Sequence, residues 1–156
     1  MSYHHLIQEY ISGLQQLQAA VAGMTEEQLH AVPIPGKWST LQVVCHIADF
    51  EPIYADRMKR VIAEEEAQLL SGDPDLFAAR LAYDVRDVRE ELAVISSVRH
   101  QMARILAAQT DSVFQRAGRH SVDGLLTLET LLKRITGHLP HHVRHILEKR
   151  AALGLK

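Results

Sequence analysis

Four histidines between positions 138 and 145 are the residues of this chain best suited to chemistry. They form two pairs at a spacing of four, His138 with His142 and His141 with His145. In an α-helix, residues four apart lie on one face about one turn apart, so either pair could bind one metal ion. Two imidazoles do not complete such a site, so a further ligand must come from elsewhere in the chain.

The phase of the surrounding apolar residues distinguishes the two pairs. The apolar stripe of this segment contains Leu128, Leu131, Leu132, Ile135, Leu139 and Ile146. His142 falls inside the stripe and His138 lies on its edge, whereas His141 and His145 fall on the polar side. We therefore predict that His138 and His142 are the inward pair. The alternative is that both are ordinary histidines, partly buried and hydrogen-bonded.

His46, on an earlier predicted helix, is the candidate for the third ligand. It shares a largely apolar face with Val43, Phe50 and Ile53. An imidazole buried on such a face needs a polar partner. A metal ion shared with the inward pair would provide that partner.

Asp49 and Glu51 are the acidic residues that follow His46 most closely. On an ideal helix both point to other faces, but Pro52 removes a backbone donor and could alter that geometry. Both residues therefore stay open as an additional ligand or as a catalytic base. Cys45 is the only cysteine, which excludes an intrachain disulfide, and we interpret it as a small buried apolar residue.

Helical periodicity predicts one all-α domain over residues 1–156, with no β-strand. Counted with their caps, the four long helices are predicted at about residues 3–21, 39–70, 84–108 and 127–152. Pro52 is expected to kink or split the second of them. A capping box at Thr25 predicts a short helical turn before Pro33. Trp38 is expected to anchor the start of the second long helix, or to line a pocket.

The composition is that of an ordinary soluble protein, with 47% hydrophobic and 23% charged residues and a net charge of -2. The absence of a basic stripe with interleaved aromatic residues argues against nucleic-acid binding. No apolar run approaches the roughly 20 residues of a membrane span, and the first residues do not resemble a signal peptide. These observations predict a cytoplasmic protein.

The ordered motifs resemble the DinB-like superfamily, which includes the YfiT-type proteins. The resemblance rests on Pro35-Gly36-Lys37-Trp38-Ser39, on His46-Ile47-Ala48-Asp49, on Arg57 and on the closing His138 to Ile146. It implies an up-down-down-up four-helix bundle, a homodimer and a metal ion, zinc or nickel, held by three histidines. By position, those three are His46, His138 and His142.

Three neutral imidazoles leave a divalent ion with an open position, which is typical of catalytic rather than structural zinc sites. The ion would present a bound water or thiol as hydroxide or thiolate near neutral pH. We therefore predict a metal-dependent transferase or hydrolase that acts on a small molecule; thiol transfer is an activity that the resemblance implies. Asp49, Glu51 and Arg57 are the candidate catalytic helpers, with Arg57 steering an anionic substrate.

Two alternatives require no catalysis. In one, a structural or vestigial metal ion supports a binding or stress-response module; in the other, the chain is a metal-free dimeric scaffold with histidines in its polar core.

Pro140 could alter the geometry of the predicted metal site, because it lies between the two candidate ligands of the last helix. It removes a backbone hydrogen bond in a turn that Gly137 already weakens, and it could therefore displace His138.

Overall fold

The computed structural model describes residues 3–156, which form α-helices and a few short β-strands. The helices are α1 His4–Val21, α2 Glu26–His30, α3 Thr40–Ala63, α4 Pro74–Arg80, α5 Val88–Ala107 and α6 Leu128–Ala152. The strands are β1 Gln68–Leu69, β2 Ala117–His120 and β3 Gly124–Thr127. Turns of 3-10 helix lie at Tyr83–Val85 and Asp111–Gln115. The four long helices form the predicted bundle.

Side-chain caps determine where the two histidine-bearing helices begin. Ser39 Oγ accepts a hydrogen bond from the Gln42 amide at 3.1 Å, and Gln42 Oε1 accepts one from the Ser39 amide at 2.8 Å. Thr127 Oγ1 accepts a hydrogen bond from the Thr130 amide at 3.1 Å. Both caps were predicted, and they satisfy amide groups that the first helical turn leaves without partners.

The long helices pack so that α1 and α3 each contact both α5 and α6. Tyr3 donates a hydrogen bond to Glu129 near the start of α6, and Arg150 near its end donates one to the Ala20 carbonyl. These two contacts show that α1 and α6 run in the same direction. The helix pair therefore aligns the two chain segments that are farthest apart in sequence.

Two further contacts give the relative direction of α3 and α5. Asp49 pairs with Arg86 just before α5, and further along Lys59 donates a hydrogen bond to Gln101, so the two helices run side by side in the same direction. The connection over residues 64–87 contains β1, α4 and a 3-10 turn. Its length allows the chain to return to the end of the bundle from which α3 started.

The prediction that the chain has no β-strand is wrong. The strands form a sheet in the order β1-β2-β3, with β1 parallel to β2 and β2 antiparallel to β3. Strands of two and four residues are too short to show the alternation by which a strand is recognised. At Gly118 an added Cβ would lie 3.0 Å from the side chains of Leu69 and Val61, so the sheet packs closely on α3.

Several predicted boundaries also change. The second long helix ends at Ala63 rather than near residue 70, and it continues through Pro52 without being split. The third begins at Val88, where the Asp87 side chain accepts hydrogen bonds from the amides of the first turn. Asp73 caps α4, which the sequence did not predict. None of the described helices is both long enough and apolar enough to cross a membrane.

The two larger of the three apolar clusters in the described residues follow the bundle axis. The cluster near the start of α6 contains Leu128, Leu131, Ile135, Met58 and Met102. The cluster near its middle contains Leu139, Ile146, Val44, Ile47 and Ile95. This second apolar cluster surrounds the segment of α3 that carries His46, so the candidate ligands are placed by well-packed helices rather than by loops.

Candidate metal centre

The imidazoles of His46, His138 and His142 meet between α3 and α6. The Nε2 atom of His138 lies 3.0 Å from Nε2 of His46 and 3.1 Å from Nε2 of His142. One potential ligand atom from each of the three residues falls within 4.8 Å of the other two. The structure thus brings together the three histidines that the sequence singled out.

Pro140 does not interrupt α6. The α-helix runs without interruption from Leu128 to Ala152, with the exposed Pro140 inside it. His138 has not been displaced, because its Nε2 atom stays within 3.1 Å of both other imidazoles. The spacing of four between His138 and His142 therefore has the geometric effect expected of a regular helix.

Aromatic packing holds the His46 ring in place. Its centroid lies 5.3 Å from that of Trp38 and 4.7 Å from that of Phe50. Within residues 3–156, the buried Nδ1 atoms of His46 and His138 have no hydrogen-bond partner. In most metal sites the second ring nitrogen donates to a carboxylate or a carbonyl group. Here, side-chain packing takes over much of that orienting role.

Burial keeps the three imidazoles neutral at physiological pH. It lowers the pKa of His46 to about 4, against an opposing effect of the nearby Asp49 carboxylate. Burial also lowers the pKa of His138 and of His142, and the neighbouring imidazoles act in the same direction. The neutral form is the one that binds a metal ion.

Hydrogen bonds among the three rings cannot satisfy the cluster. The Nε2 atom of a neutral imidazole either donates one hydrogen or accepts one, yet Nε2 of His138 faces two other Nε2 atoms. A divalent cation would accept the lone pairs of all three. Two nitrogens that each lie about 2.1 Å from one ion at angles of about 90–110° are about 3.0–3.4 Å apart, which agrees with the observed separations.

An open cavity of about 330 Å³ borders the cluster at His142. Trp38 forms part of its wall, so this residue both packs against His46 and lines the pocket. His141 and His145 lie on the same wall, and Nδ1 of His145 is 3.3 Å from Glu148 Oε2. The cavity has the size of a site for a small molecule, and the outer histidines line it, with the His141 ring 5.0 Å from that of His142.

The three candidate helpers have other partners. Asp49 forms an ion pair with Arg86 at 2.9 Å. Glu51 is fully buried and forms an ion pair with Arg99 at 2.6 Å. Arg57 donates two hydrogen bonds to one backbone carbonyl and lines a different cavity. Among the described residues, none of the three forms a hydrogen bond to the histidine cluster, and their catalytic roles remain predictions.

Two buried cations were missed from the sequence. Arg99 is completely buried, although it lies four residues after Ile95 and three before Met102 on the apolar stripe of α5. Lys149 is 4% exposed and follows the core residue Ile146 by three positions. In both cases the signal was a charged residue in the phase of an apolar stripe, which indicates a buried partner or a ligand.

A helical bundle in which two long helices direct three neutral imidazoles at one point, beside an open cavity, defines a candidate metal-binding bundle protein. The family model described as the DinB superfamily matches residues 10–146. This chain therefore belongs to the DinB superfamily, which confirms the resemblance inferred from its motifs.

Two relatives show how far the similarity extends. YfiT of Bacillus subtilis, provisionally named a metal-dependent hydrolase, is 29% identical over 140 residues, which are 89% of this chain and 79% of YfiT. A Geobacillus thermodenitrificans protein with the same provisional name is 26% identical over 153 residues, covering 95% of this chain and 86% of the relative.

A solved structure supports the fold. B. subtilis YfiT, described as a probable metal-dependent hydrolase with an unusual four-helix bundle topology, matches with a TM-score of 0.90 and 27% identity. The match covers 97% of this chain and 87% of that one. The four-helix bundle is thereby confirmed, with the small sheet as an addition that the sequence did not predict.

Proposed function

We propose that this chain is a metal-dependent hydrolase or transferase for small molecules, with a divalent ion held by Nε2 of His46, His138 and His142. One observation carries the proposal: three neutral, largely buried imidazoles turn their Nε2 atoms toward one another at 3.0 and 3.1 Å. A shared cation would accept the lone pairs of all three rings, whereas one hydrogen bond pairs only two of them. The provisional names of the relatives as metal-dependent hydrolases agree with it.

A bound ion would supply a Lewis acid and would lower the pKa of a water or thiol beside it. The chain itself orients the ligands and admits the substrate. Trp38 and Phe50 shield His46 from water, while the cavity at His142 leaves one side of the cluster open. Zinc and nickel both suit imidazole ligands, and a low-molecular-weight thiol is one substrate class within the proposal.

The proposal also retains the finer predictions on the form of the protein. These are a single domain, the up-down-down-up order of the long helices, a homodimer and a location in the cytoplasm. The parallel run of α1 and α6 supports the helix order.

Metal analysis tests the site directly. Protein purified without a nickel column is dialysed against zinc or nickel, and the metal content per chain is measured by mass spectrometry. We expect about one ion per chain in the wild type and nearly none in His46→Ala or His142→Ala. The matched control is His100→Ala, an exposed residue of α5 that should keep the metal. Undiminished metal content in both ligand variants would refute the site.

A second measurement separates catalysis from binding. One observation favours a non-catalytic metal-binding module, namely that Asp49, Glu51 and Arg57 have partners away from the cluster. Metal-loaded protein is therefore assayed with a panel of small esters, amides and thiol acceptors. Turnover that disappears in His142→Ala supports an enzyme. Bound metal without turnover across the panel favours the binding module.

A further inference from the structure

Lys149 places a buried ammonium group at the cavity beside the histidine cluster. The residue is only 4% exposed, yet it lines the same cavity as His142. Within residues 3–156 its Nζ atom donates one long hydrogen bond, to the His145 carbonyl at 3.4 Å, and no carboxylate lies at ion-pair distance. An ammonium group can donate three hydrogen bonds, so two of the three have no acceptor among the described residues.

A buried ammonium without a counter-ion is unfavourable, and Arg99, another buried cation of the described chain, shows one way in which such a charge is compensated. Arg99 has a carboxylate partner, Glu51, and two carbonyl acceptors. Burial lowers the pKa of Lys149, and the nearby Lys37 ammonium acts in the same direction, while Glu148 opposes them. An anion from outside the chain would remove this penalty.

The other charged groups of the cavity wall favour an anion at its inner end. Lys37, which is exposed, contributes a second ammonium group, and no acidic group pairs with it among the described residues. The carboxylates of the wall belong to Asp75 and Glu148, both exposed, and that of Glu148 contacts His145. The buried cation therefore lies deeper than the acidic groups.

The position of Lys149 along α6 relates it to the proposed metal centre. Lys149 follows His142 by seven residues, which is about two turns or roughly 10 Å of helix. Its side chain turns back along the helix, as the contact with the His145 carbonyl shows. Trp38 lines the cavity beside both residues and offers an apolar wall.

We propose that Lys149, assisted by Lys37, binds an anionic oxygen group, a carboxylate or a phosphate, of a small substrate whose reacting group lies at the histidine cluster. The part of this proposal that concerns the reacting end of the substrate rests on the proposed function. The part that concerns the anionic end of the substrate depends on the two lysines alone. The substrate class is a small anion in which the two ends are separated by at most roughly 10 Å.

The anion site can be tested in metal-free protein. Trp38 is the only tryptophan, so its fluorescence reports on the cavity, and calorimetry gives a second readout. Glutarate and inorganic phosphate are titrated in parallel with the uncharged glutaramide. We expect at least one anion to bind more tightly than glutaramide, and Lys149→Met to weaken that binding about tenfold. Lys133→Met, on the exposed side of the same helix, should have no effect.

Cobalt-loaded protein tests the link to the metal centre. Thiolate coordination gives a charge-transfer band, and 3-mercaptopropionate and longer ω-mercaptocarboxylates are compared with their amides of equal length. We expect a carboxylate preference at one chain length, which Lys149→Met abolishes and Lys149→Arg retains. Affinity for the amides should not change, because the thiol end does not contact Lys149.

The two proposals fail in different ways. Equal binding of anions and amides by the wild type, or a preference that survives Lys149→Met, would overturn the anion site. Lysine-dependent anion binding in a protein that takes up no cobalt would uphold the anion site and overturn the metal centre. If Lys149→Met does not fold, as judged by circular dichroism, Lys37→Met replaces it. That variant is expected to weaken anion binding by about twofold, and unchanged binding would count against the proposal.

Discussion

Two polar clusters lie inside the same bundle, and they differ in how well they are satisfied. In one, Arg99 donates hydrogen bonds to Glu51, to the Tyr10 carbonyl and to the Ile135 carbonyl. In the other, three imidazoles face one another and two of their Nδ1 atoms lack partners among the described residues. A satisfied network connects elements, whereas an unsatisfied one that the fold holds in place is suited to binding a ligand.

The arginine cluster connects all four long helices at one level. Glu51 comes from α3, Arg99 from α5, Tyr10 from α1 and Ile135 from α6. Gly13 leaves the space for the guanidinium group, because an added Cβ there would lie 3.0 Å from Arg99 Nη1. Packing of this kind fixes the helix positions on which the nearby histidine cluster depends.

The largest effect is expected from breaking the satisfied cluster. Arg99→Met leaves the Glu51 carboxylate buried without its counter-ion, which should lower the free energy of unfolding by about 3–5 kcal/mol. Urea denaturation followed by circular dichroism measures the change. The matched control is Arg89→Met at an exposed position of the same helix, where we expect less than about 0.5 kcal/mol. A loss below about 1 kcal/mol at Arg99 would show that the network is not what joins the helices.

Metal ions should stabilise the histidine cluster and leave the arginine cluster unaffected. At a free metal concentration of one hundred times Kd, the free energy of unfolding should rise by about 2.7 kcal/mol. His138→Ala should remove this increase, because Nε2 of His138 is the atom that contacts both other imidazoles. In His141→Ala the metal should still raise the free energy of unfolding by the same amount. Thermal unfolding with and without zinc provides the measurement, and an equal increase in His138→Ala would contradict the three-histidine site.

The smallest effect is expected in the pH dependence of stability, and it comes from the histidine cluster. In metal-free protein burial lowers the pKa of His46 to about 4 from an ordinary 6.5. Above pH 6.5 the His46 imidazole is neutral in both the folded and the unfolded chain. Between 6.5 and about 4 the unfolded chain binds a proton that the folded chain excludes. The free energy of unfolding should therefore decrease as the pH is lowered through this range, by at most about 1.4 kcal/mol per pH unit for this residue.

Urea denaturation between pH 7 and 4.5 tests this dependence. His46→Gln should show a shallower slope than the wild type, because it removes one of the groups that protonate on unfolding. His100→Ala is the control, since that imidazole is exposed. Identical slopes in the wild type and in His46→Gln would show that the buried imidazole does not resist protonation.

The local signals in the sequence were sufficient for much of the fold and for the histidine cluster. The capping residues Ser39 and Thr127 determined where α3 and α6 begin, and the apolar stripe of α6 separated His138 and His142 from the outer pair. These features depend on residues within one or two helical turns. These caps and the inward face of α6 can therefore be predicted from helical periodicity without knowledge of the tertiary structure.

The features that were missed depend on contacts between distant segments. The sheet forms because Gln68 pairs with Arg119, and neither strand has a pattern that reveals this pairing. The ion pair of Glu51 with Arg99 joins α3 to α5, and neither the burial of these two residues nor their pairing was predicted from the sequence. The cavity at Lys149 likewise requires the loop before α3 to lie beside α6. Each charge was visible in the sequence, but its partner was not.

The separation of His46 from His138 by 92 positions also affects when the site can form during synthesis. A ribosome makes α3 well before it makes α6, so a nascent chain carries one ligand and no site until its last helix has emerged. If the proposed site binds a metal ion, its uptake would follow the docking of α6, and the ion would not guide the earlier stages of folding. A chain stalled before residue 138 would have no complete site to compete for cellular metal.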